Sequence, residues 1–99
     1  MAYLIETFDK PGALPLRLAV RDKHLTYLEE NKELLIACGA KLDDDGENAH
    51  GGIYLADVET RAQAEAFIAA DPFFQADLFR EVRVIRWRKA YLDGKNYLA

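Results

Sequence analysis

Along residues 2–8, Tyr3, Ile5 and Thr7 alternate with Ala2, Leu4, Glu6 and Phe8, the two-residue period of a strand. Lys10-Pro11-Gly12 ends that pattern. After the turn-prone Leu14-Pro15 the spacing becomes helical, with Leu18, Leu25 and Leu28 on one side and Asp22, Thr26, Glu29 and Glu30 turned to water. Asp22 is a candidate N-cap, so the helix proper runs either through the whole segment or only from Asp22 to Lys32. Residues 33–41, apolar around Leu34-Leu35-Ile36-Ala37, predict a second strand, and residues 42–49, with Asp43-Asp44-Asp45-Gly46, a solvated turn. A third strand is expected at residues 51–56. Thr60 and Gln63 have the spacing of a capping box, and alanines with Phe67 and Ile68 carry a second helix to Ala70. Pro72 has no N–H and disfavours helical geometry at Asp71, which stops the helix there. A short extra turn over residues 73–79 and a fourth strand over residues 81–89 complete the chain.

The order is βαββαβ, which predicts one α+β domain over residues 1–99. It is the ferredoxin-like arrangement, with a four-stranded antiparallel sheet and both helices on one face. The strands are apolar on both sides: Val82 and Val84 oppose Ile85 and Trp87 in the last one. With no third helix to cover the second face, another copy of the same sheet is the simplest cover. A homodimer packed through its sheets is therefore expected, with Tyr91, Leu92, Tyr97 and Leu98 of the tail clasping the partner.

Composition narrows the function. The 99 residues are 51% apolar with a net charge of −4, which suits a globular domain and not a nucleic-acid surface. Cys38 is the single cysteine, so no disulfide framework exists and a reducing cytoplasm is expected. The first residues lack a charged segment followed by an apolar run, so no signal peptide is expected, and no stretch reaches the ~20 apolar residues of a membrane span. Sharper motifs fail. The acidic loop would need Glu where Gly52 stands to bind calcium, and the two histidines and one cysteine lack zinc-ligand spacing. No metal and no organic cofactor is expected.

The residues left for chemistry are few. On a continuous helix, at 100° per residue, Arg17, Arg21 and His24 fall within about 60° of arc at the edge of the buried stripe. There, a half-desolvated imidazole can move protons both ways, and two guanidinium groups can clamp an anionic oxygen by paired bonds. Asp71 at the helix stop can accept from one ring nitrogen and raise the basicity of the other. Each also has a structural alternative: a histidine bonded at a helix–sheet seam, a turn-forming aspartate, and surface ion pairs. His50, before Gly51-Gly52, marks either a place for ligand or a β-bulge.

Arg21 followed by His24-Leu25, a glycine-containing third strand, and Ala70-Asp71-Pro72-Phe73 before the last strand together resemble the YCII-related proteins. The likeness spans almost the whole chain in order and spacing. It implies a dimeric α+β barrel related to muconolactone isomerases, and an active site whose His and Asp fall on His24 and Asp71, with the helix arginine on Arg21. One member of that family is a dehydrochlorinase acting on a chlorinated hydroxyhydroquinone. This chain departs from the family's Gly-Pro after the second strand, having Cys38-Gly39-Ala40-Lys41. The resulting expectation is a small enzyme that abstracts a proton from, or drives elimination on, a small hydroxylated or carboxylated molecule. Here His24 and Asp71 are the catalytic pair and Arg17, Arg21 and His50 the candidate binding residues. The alternative is a non-catalytic dimeric binding or accessory module.

Overall fold

The computed structural model describes residues 2–98. Strands β1 (Ala2–Asp9), β2 (Leu35–Leu42), β3 (Ala49–Ala56) and β4 (Phe79–Trp87) form one antiparallel sheet in the order β2-β3-β1-β4. Helices α1 (Leu14–Glu30), α2 (Arg61–Ala69) and the short α3 (Pro72–Gln75) complete the α+β fold. The first and third strands lie side by side at the centre, as the split β-α-β topology requires. The core sits between the helices and one sheet face, where Tyr3, Ile5, Tyr54 and Ala56 meet Ala64, Phe67, Ile68, Phe73 and Leu78.

The first helix departs from the expected pattern. It begins at Leu14, eight residues before Asp22, because Pro15 presets helical φ and its missing N–H is one the first turn would leave unpaired. Leu18 and Leu25 are 62% and 41% exposed, so the leucine stripe is not the packed side. The buried residues of α1 are Arg17 and His24, with Val20, Tyr27 and Leu28 packed beside them. A polar side chain holds a buried position when its donors are met, and both find carboxylates below.

Elsewhere the differences are local. A 3-10 turn at Lys32–Leu34 delays β2 to Leu35, and β4 starts at Phe79 and ends at Trp87, two residues ahead of the expected span. The capping box at Thr60 is complete: its hydroxyl accepts the Gln63 N–H at 3.1 Å, and the Gln63 side chain accepts the Thr60 N–H at 3.1 Å. The tail holds an unexpected hairpin, β5 (Tyr91–Leu92) and β6 (Lys95–Asn96). Asp93 and Gly94 both have positive φ, as a two-residue hairpin turn requires.

Two features shape the ground for the site. β2 and β3 slip register near Lys41, and β3 then passes very close to β1. A Cβ on Gly51 would stand 2.0 Å from the Thr7 carbonyl oxygen, so only glycine allows the approach. The buried Thr7 hydroxyl accepts the Gly52 N–H at 2.9 Å and locks that crossing. The second sheet face carries Leu4, Leu55 and Ile85 in one cross-strand row, with Trp87 and Ile53 nearby, and Ile53 and Ile85 are exposed on it.

Candidate active site

Asp71 is placed by the break between α2 and α3. Its backbone is extended (φ −67°, ψ 131°), the geometry a residue before proline adopts. Its side chain then serves as the N-cap of α3, with Oδ1 accepting the Phe73 N–H at 2.8 Å. Tyr54 of β3 donates its hydroxyl to Oδ2 at 3.1 Å. His24 comes down from α1 and sets Nδ1 3.0 Å and 2.9 Å from the two carboxylate oxygens. Asp71 is 0% exposed and His24 9%.

The network assigns the imidazole tautomer. A carboxylate only accepts, so the ring nitrogen facing it is the N–H, and Nδ1 donates. That leaves Nε2 as the nitrogen for the space beyond. The ring's orientation is fixed from its face as well as its edge: it stacks on Phe73 with centroids 4.0 Å apart and planes 16° from parallel.

A cavity of about 250 Å³ opens beside the ring, with Arg21, His24 and Phe73 on the helix side and Ala40 of β2 with Gly52 and Tyr54 of β3 on the sheet side. Burial pushes the Tyr54 phenol far above its ordinary range, and the charge and hydrogen bond of Asp71 add to that shift. The phenol therefore stays a neutral donor. Burial also pushes the Cys38 thiol up to about 11, with the Asp71 charge contributing, so it is a poor nucleophile near neutral pH. Among the described residues, no group of three or more His, Cys, Asp or Glu side chains stands ready to hold a metal.

The residues singled out in the sequence do not share one fate. His24 and Asp71 are in contact. Arg17 and Arg21 both border the cavity, but differently. Arg17 is bound by Asp9, its Nε donating to Oδ2 at 2.7 Å and Nη2 to Oδ1 at 3.3 Å, whereas Arg21 is exposed and pairs with no carboxylate among the described residues. His50 is not among the residues that border this cavity, and its Nε2 stands 3.6 Å from Asp43 in the acidic loop. The Gly51-Gly52 pair beside it serves the close strand crossing instead. The departure segment at residues 38–40 does line the cavity. Tyr54 and Asp9 were missed. Tyr54 was legible as an inward position of β3, alternating with Gly52 and Ala56. Asp9 carries no local signal, since it meets Arg17 only through the turn between β1 and α1.

These features define a class: a ferredoxin-like α+β chain with a buried carboxylate–imidazole pair at the edge of a small cavity. The YCII-related domain matches residues 1–88, and the chain belongs to the YCII-related family. It is 31% identical over 98 residues to an uncharacterised protein of Haemophilus influenzae, and 30% identical over 98 residues to protein YciI of Escherichia coli. Each alignment takes in 92% of this chain and 100% of the relative. Among solved structures it is similar to the 5-chloro-2-hydroxyhydroquinone dehydrochlorinase of Burkholderia phenoliruptrix in complex with 2,5-dihydroxybenzoquinone. The TM-score is 0.82 and the identity 32%, over 89% of this chain and 94% of that one. A candidate antibiotic biosynthesis monooxygenase of Bacteroides thetaiotaomicron, 14% identical with a TM-score of 0.57 over 96% of this chain and 93% of that one, shares the fold alone.

Proposed function

We propose that this protein is a cofactor-independent acid/base enzyme acting on a small hydroxylated ring, and that it works as a homodimer in the cytoplasm. The observation that carries the reading is the His24–Asp71 contact, buried and beside a cavity with an unpaired guanidinium at its rim. Nε2 of His24 takes a hydroxyl proton from the substrate. Asp71 orients the ring and stabilises the imidazolium that forms, as a hydrogen-bonded carboxylate does for a catalytic histidine. Arg21 holds the oxygen that becomes anionic, a charge-assisted bond worth about 1.5–3 kcal/mol. Return of that proton to the ring carbon gives the keto tautomer and completes an isomerisation. Where that carbon bears a halide, loss of a second hydroxyl proton then expels halide from the now tetrahedral carbon, leaving a quinone and completing an elimination.

The cavity is at the small end of ligand sites, near the lower limit of about 300 Å³, which suits one ring. Likeness to the dehydrochlorinase supports a halogenated hydroxyhydroquinone as the first substrate to try. The second copy would cover the sheet face of Leu4, Ile53, Leu55, Ile85 and Trp87.

The test is chloride release from 5-chloro-2-hydroxyhydroquinone, with binding of 2,5-dihydroxybenzoquinone followed in parallel. His24→Asn is expected to lower turnover by about 10²–10⁴-fold, the usual contribution of a general base, while binding changes little. Binding without turnover in the wild type, across related halogenated and hydroxylated rings, would establish the accessory module instead.

A further inference from the structure

The two arginines of α1 look alike in the sequence, yet only one keeps its charge for a ligand. Arg17 is buried, with 10% of its side chain exposed, and Asp9 beneath it is 6% exposed. Asp9 takes two of its donors and offsets its charge at 2.7 Å. The Arg17 guanidinium carbon also rests 4.7 Å from the centroid of Phe73, the ring on which His24 stacks. Phe73 therefore touches the acid/base pair twice. Its ring supports the imidazole face, and its amide holds the carboxylate that grips the imidazole edge. Arg21 has neither an ion pair nor an aromatic partner among the described residues, and it is exposed beside the cavity.

We infer that Asp9, Arg17 and Phe73 form one positioning unit for the His24 ring, and that Arg21 alone supplies the counter-charge for the ligand. This rests on the reading of His24 as the acid/base group. Arg17 acts through Phe73: a planar cation over an aromatic face fixes that ring, and the ring fixes the imidazole plane. Asp9 acts one step further back, from the end of β1, where a register shift against β4 falls between Phe8 and Asp9. Asp9 does not border the cavity, so its effect on a reaction passes only through Arg17.

The variants Arg17→Met, Asp9→Asn, Arg21→Met and the double Asp9→Asn/Arg17→Met separate these roles, with 5-chloro-2-hydroxyhydroquinone as the probe. Arg17→Met and Asp9→Asn are each expected to lower kcat about tenfold with KM within about twofold, the signature of a mispositioned base. The double variant is expected to be no worse than either single one, because both break the same unit. It also leaves no uncompensated buried charge, so it serves if a single variant does not fold. Arg21→Met is expected to raise KM. The inference is overturned if Arg17→Met raises KM with kcat unchanged while Asp9→Asn has no effect, since Arg17 would then grip the ligand directly. A second readout needs no turnover. The His24 ring-proton shifts, set by the stacked Phe73, should move in Arg17→Met and Asp9→Asn but not in Arg21→Met. Unmoved shifts in the first two overturn the inference, even if the wild type proves inactive and the acid/base reading fails by itself.

Discussion

At the scale of single residues, the site is a fully buried carboxylate with three donors around it: an amide, a phenol and an imidazole. Removing one leaves the others without the charge distribution that balances them, which is why Tyr54 matters although its hydroxyl faces Asp71 and not a ligand. Its raised pKa has a measurable consequence. Below about pH 10, the ordinary phenol value, folded and unfolded chains both keep the proton and the contribution to stability is whole. Above it, the unfolded chain releases the proton and the folded one does not, so stability falls by about 1.4 kcal/mol per pH unit. Tyr54→Phe removes that term. Urea titrations between pH 8 and 11 should show a shallower alkaline loss in the variant; parallel curves would contradict the placement of the phenol. His24 and Asp71 were legible in the sequence as two suggestive residues; only the βαββαβ order and the family resemblance, and no local pattern, pointed to their contact. It joins residues 47 positions apart, and nothing local encodes that distance. For Arg17 the sequence leaves open an anion clamp or a surface ion pair, and its actual partner Asp9 was not legible because it belongs to a different element.

At the scale of elements, the punctuation was readable and the helix face was not. Thr60 with Gln63 and Asp71 with Pro72 are local devices whose chemistry acts within one turn, so α2 starts and stops where they say. The packed side of α1 was misjudged because its buried positions are Arg17 and His24, which a hydrophobic pattern puts only at the edge of the buried stripe. The Asp93-Gly94 hairpin turn has a strong local signal that was overlooked in a segment too short to read as strands. The close crossing of β1 and β3 yields a prediction at this scale. Gly51→Ala forces a methyl against the Thr7 carbonyl and must part the strands, at a cost of about 1–3 kcal/mol. Gly39→Ala meets no atom within 4 Å and should be nearly neutral in the same denaturation experiment.

At the scale of the whole molecule, the helix-covered face and the open face divide the work. One carries the core and the cavity. The other presents a row of Leu4, Leu55 and Ile85, with Ile85 50% exposed, bordered by the Lys41–Glu6 pair at 3.3 Å. A stable pairing of copies buries about 1,200–2,000 Å² in all, and the open face of the four-stranded sheet is the surface proposed for it. Ile85→Glu places a charge on that face, beside Leu4 in the edge strand β4, while leaving the helix side untouched. Sedimentation should show a dimer for the wild type and a folded monomer for the variant; a wild-type monomer at micromolar concentration would contradict the pairing. The βαββαβ order and the two-sided strands were legible because period-two patterning records both faces. Which surface a partner takes is recorded only as apolar residues left uncovered.

The central claim is that Asp71 holds His24 by Nδ1 so that Nε2 serves the cavity as the proton-transfer atom. Long-range proton–nitrogen correlation of the His24 ring reads this most directly, in the free protein and with 2,5-dihydroxybenzoquinone. A protonated Nδ1 and an unprotonated Nε2 are expected in the neutral ring, with the Nε2 resonance moving when the quinone binds. A ring protonated at Nε2 alone, or an Nε2 resonance indifferent to bound quinone, would contradict it.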